Sequence, residues 1–349
     1  MSKIAIVAHG LNNGGAERVA SLLANRIYEK GNMVIYIAVY SKDKDYYLND
    51  NIAYYFVDEK RKNKFFKLIG RSKKINQILN ENKCDYVISF ITNEMIVPSL
   101  FNRIPVIFSM RNDPRHLLKR KYDKVLCKLL YNRAYKIVFQ TPGAQSFFSN
   151  QIQKKSVVIG NPIPDNLPVW KANESKTIIT ACRLTYQKNI PMLIKAFKLF
   201  SENHSEYTLK IYGEGELKKE YIKLCEKENI EKKVLFMGRS NEIYNVMASS
   251  SIFALSSNFE GLSNSMLEAL AIGIPTVCTD CPPGGARLYI DNFKNGVLVP
   301  VDDENAMAKA FDLIANDKKF QMLISKNAMK IREKLEENKI IDLWLDLIR

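Results

Sequence analysis

Two carboxylates, Glu260 and Glu268, bracket the run Gly261-Leu262-Ser263-Asn264-Ser265-Met266-Leu267, and Gly273 followed by Pro275 closes the helix that this run opens. Glu260 is therefore expected in a loop and Glu268 in the first turns of a helix. Backbone amides near Leu262, Ser263 and Asn264 would point off that helix N-terminus, which favours an anion such as a phosphate. The flanking carboxylates can accept hydrogen bonds from sugar or ribose hydroxyls. Ser265-Met266-Leu267-Glu268 also fits a capping box, in which Glu268 would only close a helix end.

A second group of charges lies at Ala181-Cys182-Arg183-Leu184-Thr185-Tyr186-Gln187-Lys188-Asn189, where an apolar run ends and Asn189 is placed to cap the helix that follows. Cations at the carboxyl end of a parallel strand sit where open α/β sheets bind ligands. Opposite charges about 4 Å apart attract by roughly 4 kcal/mol at an effective dielectric near 20, so Arg183 and Lys188 could drive departure of a nucleoside diphosphate. Met237-Gly238-Arg239-Ser240-Asn241 follows another apolar run and could offer groups to a nucleotide base, whereas Gly213-Glu214-Gly215 reads as a turn. Gly14-Gly15 either lets a first loop approach a ligand or forms a plain strand-to-helix turn, and His9, which ends the first strand, either touches an acceptor or is a satisfied core histidine. Cys278 and Cys281 have CxxC spacing without a second pair or accompanying histidines, so no metal site is expected. His204, in a polar helix end, is expected at the surface.

These residues need strands and helices to hold them. Apolar runs at Lys3 to Ala8, Val34 to Tyr40, Tyr86 to Ile91, Val106 to Met110 and Ile137 to Gln140 alternate with helical patterns. Among these are the stripe Ala16, Val19, Ala20, Leu23, Ala24, Ile27 and the segments Ile75 to Leu79 and Leu118 to Leu130. The alternation predicts a parallel sheet covered on both faces. Three prolines between Ile159 and Lys176 interrupt every periodic pattern and mark a linker. The pattern restarts at Thr177 to Ala181, Thr208 to Tyr212, Val234 to Met237, Ser251 to Leu255 and Thr276 to Thr279. Two Rossmann-like domains are expected, residues 1–162 and 163–331. A last helix over 332–349, with Ile340, Leu343, Trp344, Leu347 and Ile348 on one stripe, is expected to return to the first domain.

At 349 residues, with 46% hydrophobic and 26% charged positions, the composition is that of a folded two-domain protein and excludes a disordered or collagenous chain. Six scattered cysteines suit a reducing compartment. No apolar run reaches the roughly 18–20 residues of a membrane span, and the start MSKIAIVAHG lacks a signal-peptide pattern, so a cytoplasmic location is expected.

Taken together, Gly14-Gly15-Ala16-Glu17-Arg18, Arg183 through Lys188-Asn189, Gly213-Glu214-Gly215 and Glu260 to Glu268 followed by Gly273-Ile274-Pro275 resemble the retaining glycosyltransferases of the GT-B fold, specifically glycosyltransferase family 4. The resemblance covers almost the whole chain. It implies an α/β fold of two Rossmann-like domains whose parallel sheets face across a cleft, the N-terminal one on the acceptor side. It implies that Arg183 and Lys188 bind the diphosphate of a nucleotide-sugar donor such as a UDP-sugar, that Glu268 holds the ribose hydroxyls and that Glu260 contacts the transferred sugar. Gly238, Arg239, Leu262, Ser263 and Asn264 would complete the donor site. Gly14, Gly15, His9 and Arg111 would lie on the acceptor side. The segment Ser109 to Pro114 further resembles members that extend bacterial surface polysaccharides, such as capsule, or lipid-linked glycans. The implied reaction moves a hexose or N-acetylhexosamine with retention and without a divalent metal or other cofactor. Many relatives carry a histidine near the reacting sugar; Ser109 to Arg111 contains none, and no catalytic histidine is assigned. Cys281 to Arg287 stands where relatives often have Gly-Pro.

The net charge of +15 is uneven. One block holds Lys60, Arg61, Lys62, Lys64, Lys67, Arg71, Lys73 and Lys74 around Phe65, Phe66, Leu68 and Ile69. A second holds Arg115, Lys119, Arg120, Lys121, Lys124 and Lys128 on a helix whose other stripe is Leu118, Tyr122, Val125, Leu126 and Leu129. Such segments either face an anionic membrane surface, which would place the protein peripherally on the inner face of the cell membrane, or bury the apolar stripe in the core. The competing readings are a nucleotide-sugar epimerase of the same architecture and a basic polyanion-binding protein. No nucleic-acid-binding module accompanies the charge, and nucleic acid is not expected as a partner.

Overall fold

Near-continuous apolar runs form parallel strands because both of their faces are covered by helices. The computed structural model describes residues 2–12, 14–172 and 175–348. The chain divides into two compact units, Met1–Pro162 with Asn338–Arg349, and Ile163–Glu337.

Among the described residues, unit 1 contains a seven-stranded sheet in the order β3-β2-β1-β4-β5-β6-β7. The strands are β1 Lys3–Ala8, β2 Met33–Ala38, β3 Ala53–Phe56, β4 Tyr86–Ser89, β5 Val106–Met110, β6 Lys136–Phe139 and β7 Ser156–Val158. Each pairing is parallel, with Ile4 opposite both Val34 and Tyr86. Helix α1, Gly15–Glu29, buries Val19, Ala20, Leu23, Ala24 and Ile27 on one stripe. Each large aliphatic side chain so buried contributes about 1.5–3 kcal/mol. Helix α2 spans Lys64–Glu81, with the Asn63 side chain accepting from the Phe65 and Phe66 amides, and buries Gly70, Ser72, Ile75 and Leu79.

Helix α3, Lys121–Arg133, does not bury the stripe read from the sequence: Cys127, Leu130 and Tyr131 enter the core, while Tyr122, Val125 and Leu129 stay 57%, 69% and 45% exposed, the outward-facing one of the two readings. The helix has two apolar faces, and both share the 3.6-residue period. Pro114 starts a separate short helix, Pro114–Leu117, so the helical pattern from Leu118 begins three residues before α3 does.

Unit 2 holds a six-stranded sheet among the described residues, ordered β10-β9-β8-β11-β12-β13. Its strands are β8 Thr177–Ala181, β9 Thr208–Tyr212, β10 Val234–Gly238, β11 Ile252–Leu255, β12 Thr276–Thr279 and β13 Val297–Val299. Helix α4 spans Ile190–Ser201, α5 Ile243–Ala248 and α6 Asn264–Ile272. Strands β3, β7 and β13 are short edge strands with no long apolar run, and the periodicity does not predict them.

The expected linker belongs largely to unit 2. Ile163 donates its amide to the Leu335 carbonyl, and Trp170 is buried, with its indole donating to the Ser250 carbonyl at 2.8 Å. The crossing lies between Pro162 and Ile163. The chain re-enters unit 1 at Asn338 rather than at residue 332. Helix α7, Glu337–Leu345, is fastened to unit 1 by Lys30 and Asp342 at 2.6 Å and by Trp344 stacked on Phe90. Ile340, Ile341, Trp344, Leu345 and Ile348 are buried. Leu343, expected in the stripe, is 47% exposed, because the stripe turns with the helix onto Ile341 and Leu345.

Candidate functional site

In unit 2 the strand order reverses at β8 and β11, and the carboxyl ends of two such strands frame the crevice where open parallel sheets bind ligands. The Arg183 to Lys188 loop leaves β8, and the Glu260 loop leaves β11. They meet in an ion pair, the Lys188 ammonium donating to Glu260 Oε2, with both side chains largely shielded. Ser257 Oγ donates to the same carboxylate oxygen at 3.3 Å. The Ser256 hydroxyl donates to the Lys188 carbonyl at 2.8 Å, and the Asn258 side chain to the Tyr186 carbonyl at 3.0 Å. Burial works to lower the Lys188 pKa; Glu260 foremost, with Cys182, outweighs it and holds the ammonium above its ordinary value.

Arg183, exposed in the same loop, carries a charge that opposes that of Lys188. Asn189 sits in the left-handed region at φ 44° and caps α4, accepting from the Met192 amide. Its Nδ2 donates to Asn258 at 2.8 Å and to Asp302 at 2.6 Å, which fixes the end of the Arg183 to Lys188 loop.

Two glycines allow this loop its shape. At Gly213, φ +124°, a Cβ would stand 1.9 Å from the Cys182 carbonyl oxygen, and at Gly215 a Cβ would stand 2.3 Å from that of Leu184. The Gly213-Glu214-Gly215 segment, read from sequence as a turn, is thus pressed against the cationic loop, with the Leu184 amide donating to the Glu214 carbonyl at 3.0 Å. Gly238 ends β10 at φ +70°, and its carbonyl accepts from the Gly213 amide; Arg239 is exposed beyond it.

Helix α6 does not carry the capping box that Ser265 to Glu268 offers as an alternative reading. Its cap is Ser263, whose hydroxyl accepts from the Met266 amide, so Glu268 lies beyond the capping position. Glu268 is instead buried, and it accepts from the Tyr244 hydroxyl of α5 at 3.3 Å. Leu262 and Ser263 are buried and Asn264 half-buried at the helix start. The Cys182, Cys278 and Cys281 thiols are all subject to the charges of the Lys188–Glu260 pair; burial first, then Glu260, pushes the Cys281 thiol up to about 12. All six cysteines are free thiols. Sequence reasoning passes over Tyr244 and Ser257, which come from separate elements, and reads Cys278 and Cys281 only as an unaccompanied CxxC pair.

In unit 1 the order reverses between β1 and β4. His9, just beyond β1, is exposed, and its ring stacks on Tyr40 with centroids 4.4 Å apart. The Tyr40 hydroxyl donates to Glu94, which follows β4, and the Arg71 guanidinium of α2 lies 4.1 Å from the centre of the Tyr40 ring. Gly14 is the N-cap of α1 and Gly15 its first residue. Arg111 does not join His9. It donates to Asn161 at 2.5 Å and lies over the Phe90 ring, and Gln140 donates to the same Asn161 oxygen at 2.7 Å. Burial lowers the Arg111 pKa, with Glu17 opposing. His204, expected at the surface, is stacked on Phe200 and held by Asp312 at 2.9 Å, its side chain 14% exposed; α4 buries the Phe200 that receives it.

Residues 165–331 match the family described as Glycosyl transferases group 1. A curated relative from Campylobacter jejuni, N-acetylgalactosamine-N,N'-diacetylbacillosaminyl-diphospho-undecaprenol 4-alpha-N-acetylgalactosaminyltransferase, is 29% identical, with 96% of this chain and 95% of the relative aligned. Among solved structures, S. aureus TarM in complex with fondaparinux, alpha-GlcNAc-glycerol and UDP superposes with a TM-score of 0.82 over 100% of both chains at 14% identity. Anabaena HepE in complex with UDP and glucose superposes with a TM-score of 0.81 at 18% identity over 99% of both chains. The two parallel-sheet α/β units are those of the GT-B fold.

Proposed function

We propose that this chain, a glycosyltransferase enzyme with a group 1 domain over residues 165–331, is a retaining member of family 4 that uses a UDP-sugar. It moves a hexose or N-acetylhexosamine to a glycan or lipid-linked acceptor in bacterial surface polysaccharide synthesis. The observation that carries this reading is the Lys188–Glu260 contact at the switch point, where the loop that carries Arg183 leaves β8 and the loop that opens α6 leaves β11. Arg183, Lys188 and the α6 amides are suited to a diphosphate. Glu268, buried beside Tyr244, is suited to ribose hydroxyls, and Glu260 both fixes Lys188 and offers an acceptor to a sugar hydroxyl. UDP as the nucleotide is supported by TarM and HepE, both crystallised with it. A lipid-linked acceptor is supported by the Campylobacter relative, whose name specifies a diphospho-undecaprenol glycan.

The bond between the sugar anomeric carbon and the leaving phosphate oxygen breaks as the acceptor oxygen bonds to the same face of that carbon. The acceptor proton passes to the leaving phosphate. The two cations and the helix terminus stabilise the developing negative charge in place of a divalent metal.

Among the described residues no helix is long and apolar enough to cross a membrane. Peripheral attachment to the inner face of the cell membrane is supported by α3, whose exposed Tyr122, Val125 and Leu129 are flanked by exposed Lys121, Lys124 and Lys128, and by exposed Phe65 and Phe66 at the start of the basic helix α2. Each cation near an anionic surface contributes about 1 kcal/mol. Sedimentation with phosphatidylglycerol vesicles at low salt tests this, and loss of binding in Val125→Glu supports it. A thermal-shift panel tests the donor: stabilisation by UDP and not by GDP or ADP is the expected result, and stabilisation by none of them contradicts the reading.

A further inference from the structure

The amino ends of the strands of unit 1 hold a cleft that neither the donor nor the acceptor reading uses. It measures about 380 Å³, and its wall includes Ser99, Asn102, Arg103, Pro105, Arg133 and Tyr135. Val106 opens β5 and Tyr135 immediately precedes β6, so the cleft lies at the end of the sheet opposite the carboxyl-end crevice. The five residues of β5, at about 3.3 Å each, stand between the two. Two guanidiniums line the cleft and no carboxylate does. Among the described residues the Arg103 guanidinium has no hydrogen-bond, ion-pair or ring partner. Arg133 is engaged only through Nε, which donates to the Ser99 carbonyl at 3.2 Å. Ser99 Oγ is buried at the wall without a hydrogen-bond partner, so its hydroxyl is bound to no other group. The wall is braced: Asn102 Nδ2 donates to Asn76 at 3.0 Å and to Asn80 at 2.8 Å, both on α2, and its Oδ1 accepts from the Ile104 amide. The carboxyl end of α3 would disfavour an anion, but it is answered by Lys155, whose ammonium donates to the Asn132 and Ala134 carbonyls at 2.7 and 3.0 Å.

We propose that this cleft binds a phosphoryl group, with the Arg103 and Arg133 guanidiniums as its main ligands and the Ser99 hydroxyl as a further donor. A guanidinium presents a planar fork that pairs bidentately with phosphate oxygens. One fork satisfies a carboxylate; two forks and a hydroxyl match the several oxygens and the near-double charge of a phosphate monoester. Two like charges lining one cleft repel each other, and a dianion between them removes that repulsion. Ile104, Pro105 and the Tyr135 ring supply an apolar wall for the carbon skeleton of the ester. A ligand held by both arginines ties the Ser99 to Val106 segment to the end of α3 and so stabilises the folded chain. The phosphate of a soluble ester and that of a phosphatidic acid headgroup present the same chemistry. The site is independent of the transferase reading, because its residues belong to the other end of the sheet.

The full-length protein is titrated calorimetrically at low salt with sn-glycerol 3-phosphate, and sedimented with phosphatidylcholine vesicles with and without phosphatidic acid. Wild type is compared with Arg183→Gln, Arg103→Gln and Lys128→Gln. Arg183→Gln removes the phosphate contact proposed for unit 2. Arg103 and Lys128 are both exposed, and each change to glutamine removes one positive charge from unit 1. The expected result is saturable binding of the soluble ester that survives Arg183→Gln. It falls about tenfold or more in Arg103→Gln, the loss of charge-assisted hydrogen bonds, and by less than about twofold in Lys128→Gln. Binding to phosphatidic acid vesicles alone, weakened further by Arg103→Gln than by Lys128→Gln, also supports the site and assigns its phosphate to a lipid. Equal losses in those two variants mean diffuse attraction and overturn the site, as do unchanged binding in Arg103→Gln and absence of binding to either ligand. UDP affinity measured on the same samples reports separately on the transferase reading and is expected to be unchanged in Arg103→Gln.

Discussion

Lys188 and Glu260, 72 positions apart in the chain, form an ion pair whose side chains are 10% and 17% exposed. Breaking a shielded pair from one side leaves an uncompensated charge, at a cost of about 3–5 kcal/mol. Glu260→Gln is therefore expected to lower the melting temperature measurably. Lys188→Ala is expected to reduce kcat by about 10²–10³, as removal of an electrostatic contact to a developing anion does. Calorimetry and steady-state kinetics on both variants check the pair.

The pair also fixes a pH dependence. Lys188 titrates above its ordinary value when folded, with Glu260 outweighing burial. Its contribution to stability is whole below the unfolded pKa of about 10.4 and is lost as the pH rises through the higher folded value. Melting temperatures of the wild type and Lys188→Met, compared from pH 8 to pH 12, should differ by a constant amount at the lower end and converge at the upper end.

Gly213 faces the Cys182 carbonyl so closely that a methyl group would lie 1.9 Å from the oxygen, at a φ of +124°. Gly213→Ala must displace the loop that carries Arg183 and Lys188. A loss of about 2–4 kcal/mol in urea unfolding and a weaker UDP Kd are expected. Gly31→Ala, at a positive φ with no atom within 4 Å of the added carbon, supplies the control: strain costing about 1 kcal/mol without a change in UDP affinity.

Tyr244 donates to Glu268 across α5 and α6. Because Glu268 is assigned to the ribose, Glu268→Ala should weaken UDP binding about 10–100-fold, the cost of a charge-assisted hydrogen-bonded contact of about 1.5–3 kcal/mol. It should change the affinity for 2',3'-dideoxyuridine diphosphate little. Tyr244→Phe should fall between the wild type and Glu268→Ala. Isothermal titration calorimetry with both nucleotides separates a ribose contact from a general loss of folding.

The candidate site of unit 2 is legible in the sequence because its parts are local: Arg183 and Lys188 share one loop, and Glu260 and Glu268 flank one helix start. Their convergence needs the strand order, which puts β8 beside β11. The His9, Tyr40, Arg71 and Glu94 cluster is not legible, since Tyr40 and Glu94 are 54 positions apart and no local motif joins them. The α3 stripe leaves both readings open for a different reason: helical spacing marks an apolar face without saying whether core or solvent lies against it. The linker misleads because proline-rich text also describes an irregular segment packed on a domain, as the buried Trp170 is.

The central claim is that the charged switch point of unit 2 grips the pyrophosphate of an activated sugar. A crystal structure with UDP bound is its most direct test. The expected result is a diphosphate within hydrogen-bonding distance of Arg183 and Lys188 at the start of α6, with the ribose on Glu268. A diphosphate bound elsewhere, with the Lys188–Glu260 pair unchanged and Arg183 in solvent, would contradict it.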